Sequence, residues 1–244
     1  MIDHLRKTVI VAFRGSVTLN DWTFNSLNLP TGVIPNPVPE ELIDLLRKEK
    51  DSSTLREYKK NLHIHLGFQR YFKKQSDEEI QVEYENPFHP SLVGSQFLNV
   101  YYKVRAVLDK YPDYRVYTTG HSLGGSLSKI LALHLAADDN IKQKPVTCIT
   151  FAAPKIGTQS TRLAFQALEK SEKLRCLQVQ NEDDVVPELP QNPLNTTGCP
   201  ATYPFCMKMF DQGLTFRDTG MKLFLYRKRA DYTLYYPKVG TNYC

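Results

Sequence analysis

Long apolar runs are missing from this 244-residue sequence. None approaches the ~20 residues needed to cross a bilayer, so no membrane-spanning helix is expected. Internal repeats and low-complexity tracts are also absent, which excludes solenoid arrays and composition-driven disorder. Charge of one sign is scarce: 31 Lys and Arg against 26 Asp and Glu leave a net charge of +5. That is too little to mark a nucleic-acid-binding surface, and no nucleic-acid partner is expected. Residues 1–7 (MIDHLRK) do not resemble a signal peptide, because acidic and basic residues lead straight into a strand-like run.

Cysteine is sparse, with five residues. Cys148 and Cys176 lie inside apolar runs and read as reduced core residues. Cys199 and Cys206 flank a loop containing proline and tyrosine and are spaced to close a short disulfide. A glycosylation sequon at Asn195-Thr196-Thr197 precedes them, so the pair leans slightly toward a secretory route. Cys244 ends the sequence.

What is present is a regular alternation. The apolar share of 41% with 12 glycines is ordinary globular usage, and the length suits one α/β unit over residues 1–244. Strand-like runs fall at residues 8–13 (TVIVAF), 115–119, 145–151, 174–180, 221–226 and 232–236. Helical patterns lie between them at 92–108, 123–137 and 158–170. Residues 14–38 read as loop, 40–60 as a charged helix, and 62–72 as a short strand turning into a helix at Gly67. Strands alternating with helices predict a mostly parallel sheet with helices on its faces.

At the centre of this pattern, residues 119–125 read TGHSLGG. Gly-x-Ser-x-Gly is weak evidence by itself, but here it sits between a strand and a helix, the context that a nucleophile elbow requires. Small neighbours at Gly120 and Gly124 allow the sharp turn that lifts Ser122 above the sheet. A helix N-terminus favours the negative charge that develops during acyl transfer.

With three further segments, the chain resembles the class 3 (fungal-type) lipase family of α/β-hydrolases. Those segments are Val11-Ala12-Phe13-Arg14-Gly15-Ser16, Thr150-Phe151-Ala152-Ala153-Pro154-Lys155-Ile156-Gly157 and Asn181-Glu182-Asp183-Asp184-Val185-Val186-Pro187. The stretch His65-Leu66-Gly67-Phe68 is similar to the family's short segment after the lid. The resemblance implies an α/β-hydrolase-like fold with a mostly parallel central sheet and helices on both faces, incomplete at both ends. It implies a serine-dependent ester hydrolase with a lipid or other acyl-ester substrate and no cofactor or metal.

Carried over by position, Ser122 resembles the nucleophile and Asp184 the triad acid; Val185-Val186-Pro187 selects Asp184 over Asp183. Leu123 and Ser16 match the two positions that supply the oxyanion hole. Trp22 falls where the family's lid begins. A lid within residues 17–30 would shield the acyl pocket and meet a membrane or lipid-droplet surface. The segment at about 17–60 departs from the family by an extra charged helix.

The triad histidine is the exception. The six histidines are His4, His63, His65, His89, His121 and His134, and none follows Asp184. His121 reads as a packing residue and His134 as core. His63 and His65 share a strand face, but no Cys, Asp or Glu cluster completes a metal set. The family's histidine comes after a further strand and connection, which leads to an expectation that the sequence stops short of it. Two readings follow: part of a working lipase or esterase, or a shortened non-catalytic homologue that binds lipids or acyl groups.

Overall fold

The apolar runs become adjacent strands because a strand covered on both faces needs apolar residues at successive positions. The computed structural model describes residues 1–15, 33–34, 62–65, 67–68, 71, 95–189, 216–227 and 231–236. Seven strands form the main sheet: β1 (Ile2–Asp3), β2 (Thr8–Phe13), β5 (Arg115–His121), β6 (Val146–Phe151), β7 (Leu174–Asn181), β8 (Met221–Leu225) and β9 (Tyr232–Tyr235), in that spatial order. From β2 to β8 all neighbours pair in parallel, and β1 and β9 close the two edges antiparallel. A separate two-strand ladder joins β3 (Val33–Ile34) to β4 (Leu62–His63).

Three helices connect the parallel strands: α1 (Gln96–Lys110), α2 (Leu123–Ala137) and α3 (Gln159–Lys170). Successive strands add in one direction, and βαβ crossovers are right-handed, so these helices share one face of the sheet. The helix α2 touches β2, β5, β6 and β7 and packs against both α1 and α3. Every one of its residues is buried, which is why its sequence is apolar nearly all round. Leu131 and Phe165 are wholly enclosed, and burial of such a side chain contributes about 1.5–3 kcal/mol. The second sheet face, also expected to carry helices, bears none of these three.

The boundaries moved where capping or pairing overrode the apolar pattern. α1 starts at Gln96 because the Ser95 hydroxyl accepts the Leu98 N–H at 3.3 Å. The strand β5 runs two residues past Thr119, since Gly120 and His121 still pair with Thr150 and Phe151. Within the expected loop, Val33–Ile34 is instead a short strand, held by its ladder to β4. Gly67, Phe68 and Tyr71 are helical, as the turn at Gly67 predicted. Cys148 and Cys176 are buried free thiols facing each other across β6 and β7. The charged helix at 40–60, the lid at 17–30, the sequon, Cys199, Cys206 and Cys244 lie outside the described residues.

Candidate active site

Parallel strands all point one way, so their C-terminal ends gather along a single edge of the sheet, where open α/β folds place their sites. Phe13–Gly15, His121–Ser122, Phe151–Ala153 and Asn181–Asp184 meet there.

Ser122 occupies a conformation that side chains rarely adopt, with φ 54° and ψ −126°. It is held there from three sides. Its N–H donates to the Phe151 carbonyl at 2.9 Å, and its own carbonyl accepts the Gly125 N–H at 2.9 Å and the Ser126 N–H at 3.3 Å. The two arms of the turn approach too closely for any side chain at the flanking glycines. A carbon added at Gly120 would lie 2.4 Å from the Gly124 backbone, and one at Gly124 would lie 2.2 Å from the Phe13 carbonyl oxygen. Side chains then cross-tie strand to helix. The Thr118 hydroxyl donates to the Ser128 carbonyl at 3.1 Å, and the Ser128 hydroxyl reaches the carbonyls of Thr119 (2.6 Å) and Gly124 (2.8 Å).

The result is a buried serine whose hydroxyl makes no capping bond to the helix it precedes. Leu123 is the first residue of α2, so its N–H has no acceptor within the helix. The end of β2 lies alongside: a carbon built at Gly15 would stand 3.7 Å from Ser122 Cβ. Ser16, the next residue, lies outside the described residues, and so does Trp22.

Asp184 sits two strands away, at the end of β7, and the β5 and β7 ends are about 10 Å apart by strand spacing. It is half-buried, while Asp183 is exposed. Its Oδ1 accepts the Val186 N–H at 3.0 Å, and its N–H donates to the Asn181 carbonyl at 3.2 Å. Beside it opens a concavity of about 410 Å³, walled by Asp183, Asp184 and the Leu225-Tyr226-Arg227 segment at the end of β8; among the described residues no histidine lines it.

The described histidines are placed elsewhere. His4 hydrogen-bonds the Tyr114 hydroxyl at 2.7 Å. His65 is enclosed against Phe68 and Phe216. His134 is near the far end of α2, with its Nδ1 2.9 Å from the Ile130 carbonyl, and burial pushes its pKa down to about 4. His121 neighbours Ser122 in sequence, but it is exposed and its ring stands beside Gly15. Among the described residues, no group of three His, Cys, Asp or Glu side chains is arranged to hold a metal ion. None of their helices is long and apolar enough to cross a membrane.

The sheet order and the strand–serine–helix turn define an α/β-hydrolase type of fold. The chain belongs to the class 3 lipase family, whose description, Lipase (class 3), matches residues 10–193. It is 30% identical over 155 residues to the putative lipase LIH1 of Saccharomyces cerevisiae, which covers 64% of this chain and 38% of that protein. It is 27% identical over 194 residues to phospholipase A1-IIgamma of Arabidopsis thaliana, covering 76% and 39%. The chain thus spans about two-fifths of the length of these curated relatives. Among solved structures, a triacylglycerol lipase from Penicillium expansum superposes with a TM-score of 0.56 at 20% identity, covering 96% of this chain and 66% of that one. A lipase from Rhizopus microsporus var. chinensis gives the same TM-score at 17% identity, covering 95% and 57%. Identities this low establish the shared fold alone.

Proposed function

We propose that the protein hydrolyses carboxylic esters of lipids through an acyl intermediate on Ser122. The observation that carries this reading is the serine itself: buried, strained, free of any capping bond, and poised at the start of α2. Relatives described as a lipase and a phospholipase A1 support an acyl-lipid substrate. Triacylglycerols and phospholipids are both within that class.

In this account a histidine takes the Ser122 Oγ proton as Oγ attacks the ester carbonyl carbon. The Leu123 N–H and Ser16 receive the developing oxyanion. The carbon–oxygen bond to the alcohol then breaks as the histidine returns the proton to that oxygen, and water releases the acid by the same steps in reverse. Asp184 orients the histidine and stabilises its charged form. The base belongs in the gap between Ser122 and Asp184, on the side of the concavity at Leu225-Tyr226-Arg227. The segment around Trp22 acts as a lid that meets the lipid surface.

The test is hydrolysis of emulsified triacylglycerol, phosphatidylcholine and p-nitrophenyl butyrate by the full-length protein and its Ser122→Ala variant. Turnover should fall by at least about 10³-fold in the variant. Retained turnover would refute the assignment. Stoichiometric fatty-acid binding without turnover would favour a non-catalytic acyl-binding protein.

A further inference from the structure

Two residues after Asp184 the chain enters a single 3₁₀ turn, Val186–Glu188. Backbone bonds within the turn are local: Glu188 N–H donates to the Val185 carbonyl and Leu189 N–H to the Val186 carbonyl, both at 3.1 Å. Such a turn at an open sheet edge has little apolar burial to fix it; Val185 is 70% exposed, and only Pro187 is buried within the turn. Charge supplies what packing does not.

The Glu188 carboxylate lies between two ammonium groups from opposite neighbours of β7. Lys155, in the loop after β6, approaches Oε2 at 2.9 Å and the Glu188 carbonyl at 3.1 Å, while its N–H donates to the Leu189 carbonyl at 2.7 Å. Lys222, in β8, approaches Oε1 at 3.4 Å and also pairs with Asp218 at 2.8 Å. The Lys222 side chain is only 3% exposed, so its charge depends on those two carboxylates. Burial pushes the Glu188 carboxyl up, but Lys222 and then Lys155 outweigh it and hold the group below the usual glutamate range.

We propose that Glu188 is a positioning residue for the reaction: by bridging Lys155 and Lys222 it clamps the Asp184 turn to the segments on both sides of β7. The inference rests on Asp184 being the triad acid. Its chemical consequence is that the Asp184 carboxylate stays aimed at the imidazole. A triad acid that wanders by an ångström no longer stabilises the charged histidine, and misplacement on that scale costs up to about 10²-fold in rate.

Glu188→Gln keeps the shape and removes the charge, leaving Lys222 paired with Asp218. In the full-length protein with p-nitrophenyl butyrate, kcat should fall about tenfold with KM little changed. The acid limb of the kcat/KM profile should move to lower pH, because the histidine loses part of its carboxylate partner. Glu188→Asp should restore part of the rate. Lys155→Met should reproduce the loss, and the double variant should lose no more than either single one. An unchanged kcat and acid limb in Glu188→Gln, with the parent protein active and Ser122-dependent, would overturn the clamp alone. A rate loss with the limb in place and matched by loss of folded protein would also overturn it, by showing a role in stability only. A parent protein without Ser122-dependent turnover would overturn both the clamp and the reaction it serves.

Discussion

Ser122 and Asp184 stand at the same edge of the sheet, two strands apart, yet their turns are held by opposite means. The serine turn is fixed by contact. Backbone meets backbone at Gly120 and Gly124, hydroxyls of Thr118 and Ser128 tie its arms, and a wholly buried helix continues from it. The aspartate turn is short and open; a backbone bond from Lys155 to Leu189 and ion pairs through Glu188 tie it to the loop after β6 and to β8. A strained backbone needs surroundings that over-determine it, and close packing supplies them. An unstrained turn can rely on charges, which weaken with distance and salt.

The largest expected effect breaks the serine turn. Gly124→Ala would place a carbon 2.2 Å from the Phe13 carbonyl oxygen, so denaturant unfolding should show a loss above about 4 kcal/mol or no folded protein. A variant close to the parent in stability would show that the turn is not packing-limited.

Acid should separate the two turns. His134, on the helix that leaves Ser122, has its folded pKa lowered to about 4 from 6.5 by burial. Between those values the unfolded chain binds more protons, so stability falls as pH drops from 6.5 to 4, by about 3 kcal/mol in all. Glu188, also lowered, supports the fold above the ordinary glutamate pKa of 4.5 and loses that contribution only as pH falls through its lower folded pKa. Denaturant midpoints measured from pH 7 to 4 should therefore decline in the parent and flatten in His134→Gln, while Glu188→Gln keeps the parent's slope.

Ser128→Ala removes a hydroxyl that reaches two carbonyls of the serine turn. A loss of about 1–2 kcal/mol is expected by chemical denaturation. Glu188→Gln should cost the least stability, below about 1 kcal/mol, since half of its side chain faces solvent. A stability loss from Glu188→Gln as large as that from Ser128→Ala would erase the contrast between the turns.

How much of this was legible in the sequence follows the same division. The serine turn could be read because its requirements are local: a glycine two residues to either side of Ser122, a strand-like run before and an apolar helix after. Its strand, turn and helix appear as expected, with α2 covering Leu123–Ala137. The clamp could not be read, because Lys155, Glu188 and Lys222 are 33 and 34 residues apart and become neighbours only through the order of β6, β7 and β8. The start of α1 at Gln96 is set by the Ser95 cap and not by the apolar pattern, which reaches back to residue 92. Two residues carry no periodicity, so the Val33–Ile34 strand leaves no pattern to read in the sequence. Val185-Val186-Pro187 selects Asp184 over Asp183 in the sequence; in the structure Asp184 is half-buried and Asp183 exposed.

The central claim is that Ser122 is an activated nucleophile. The most direct measurement is treatment of the full-length protein with an alkylphosphonate p-nitrophenyl ester, which labels only a serine that attacks, followed by peptide mapping by mass spectrometry. The account predicts one phosphonyl adduct per chain, on Ser122, with release of one equivalent of p-nitrophenol and loss of any esterase activity. No adduct, or an adduct on another serine, would contradict it.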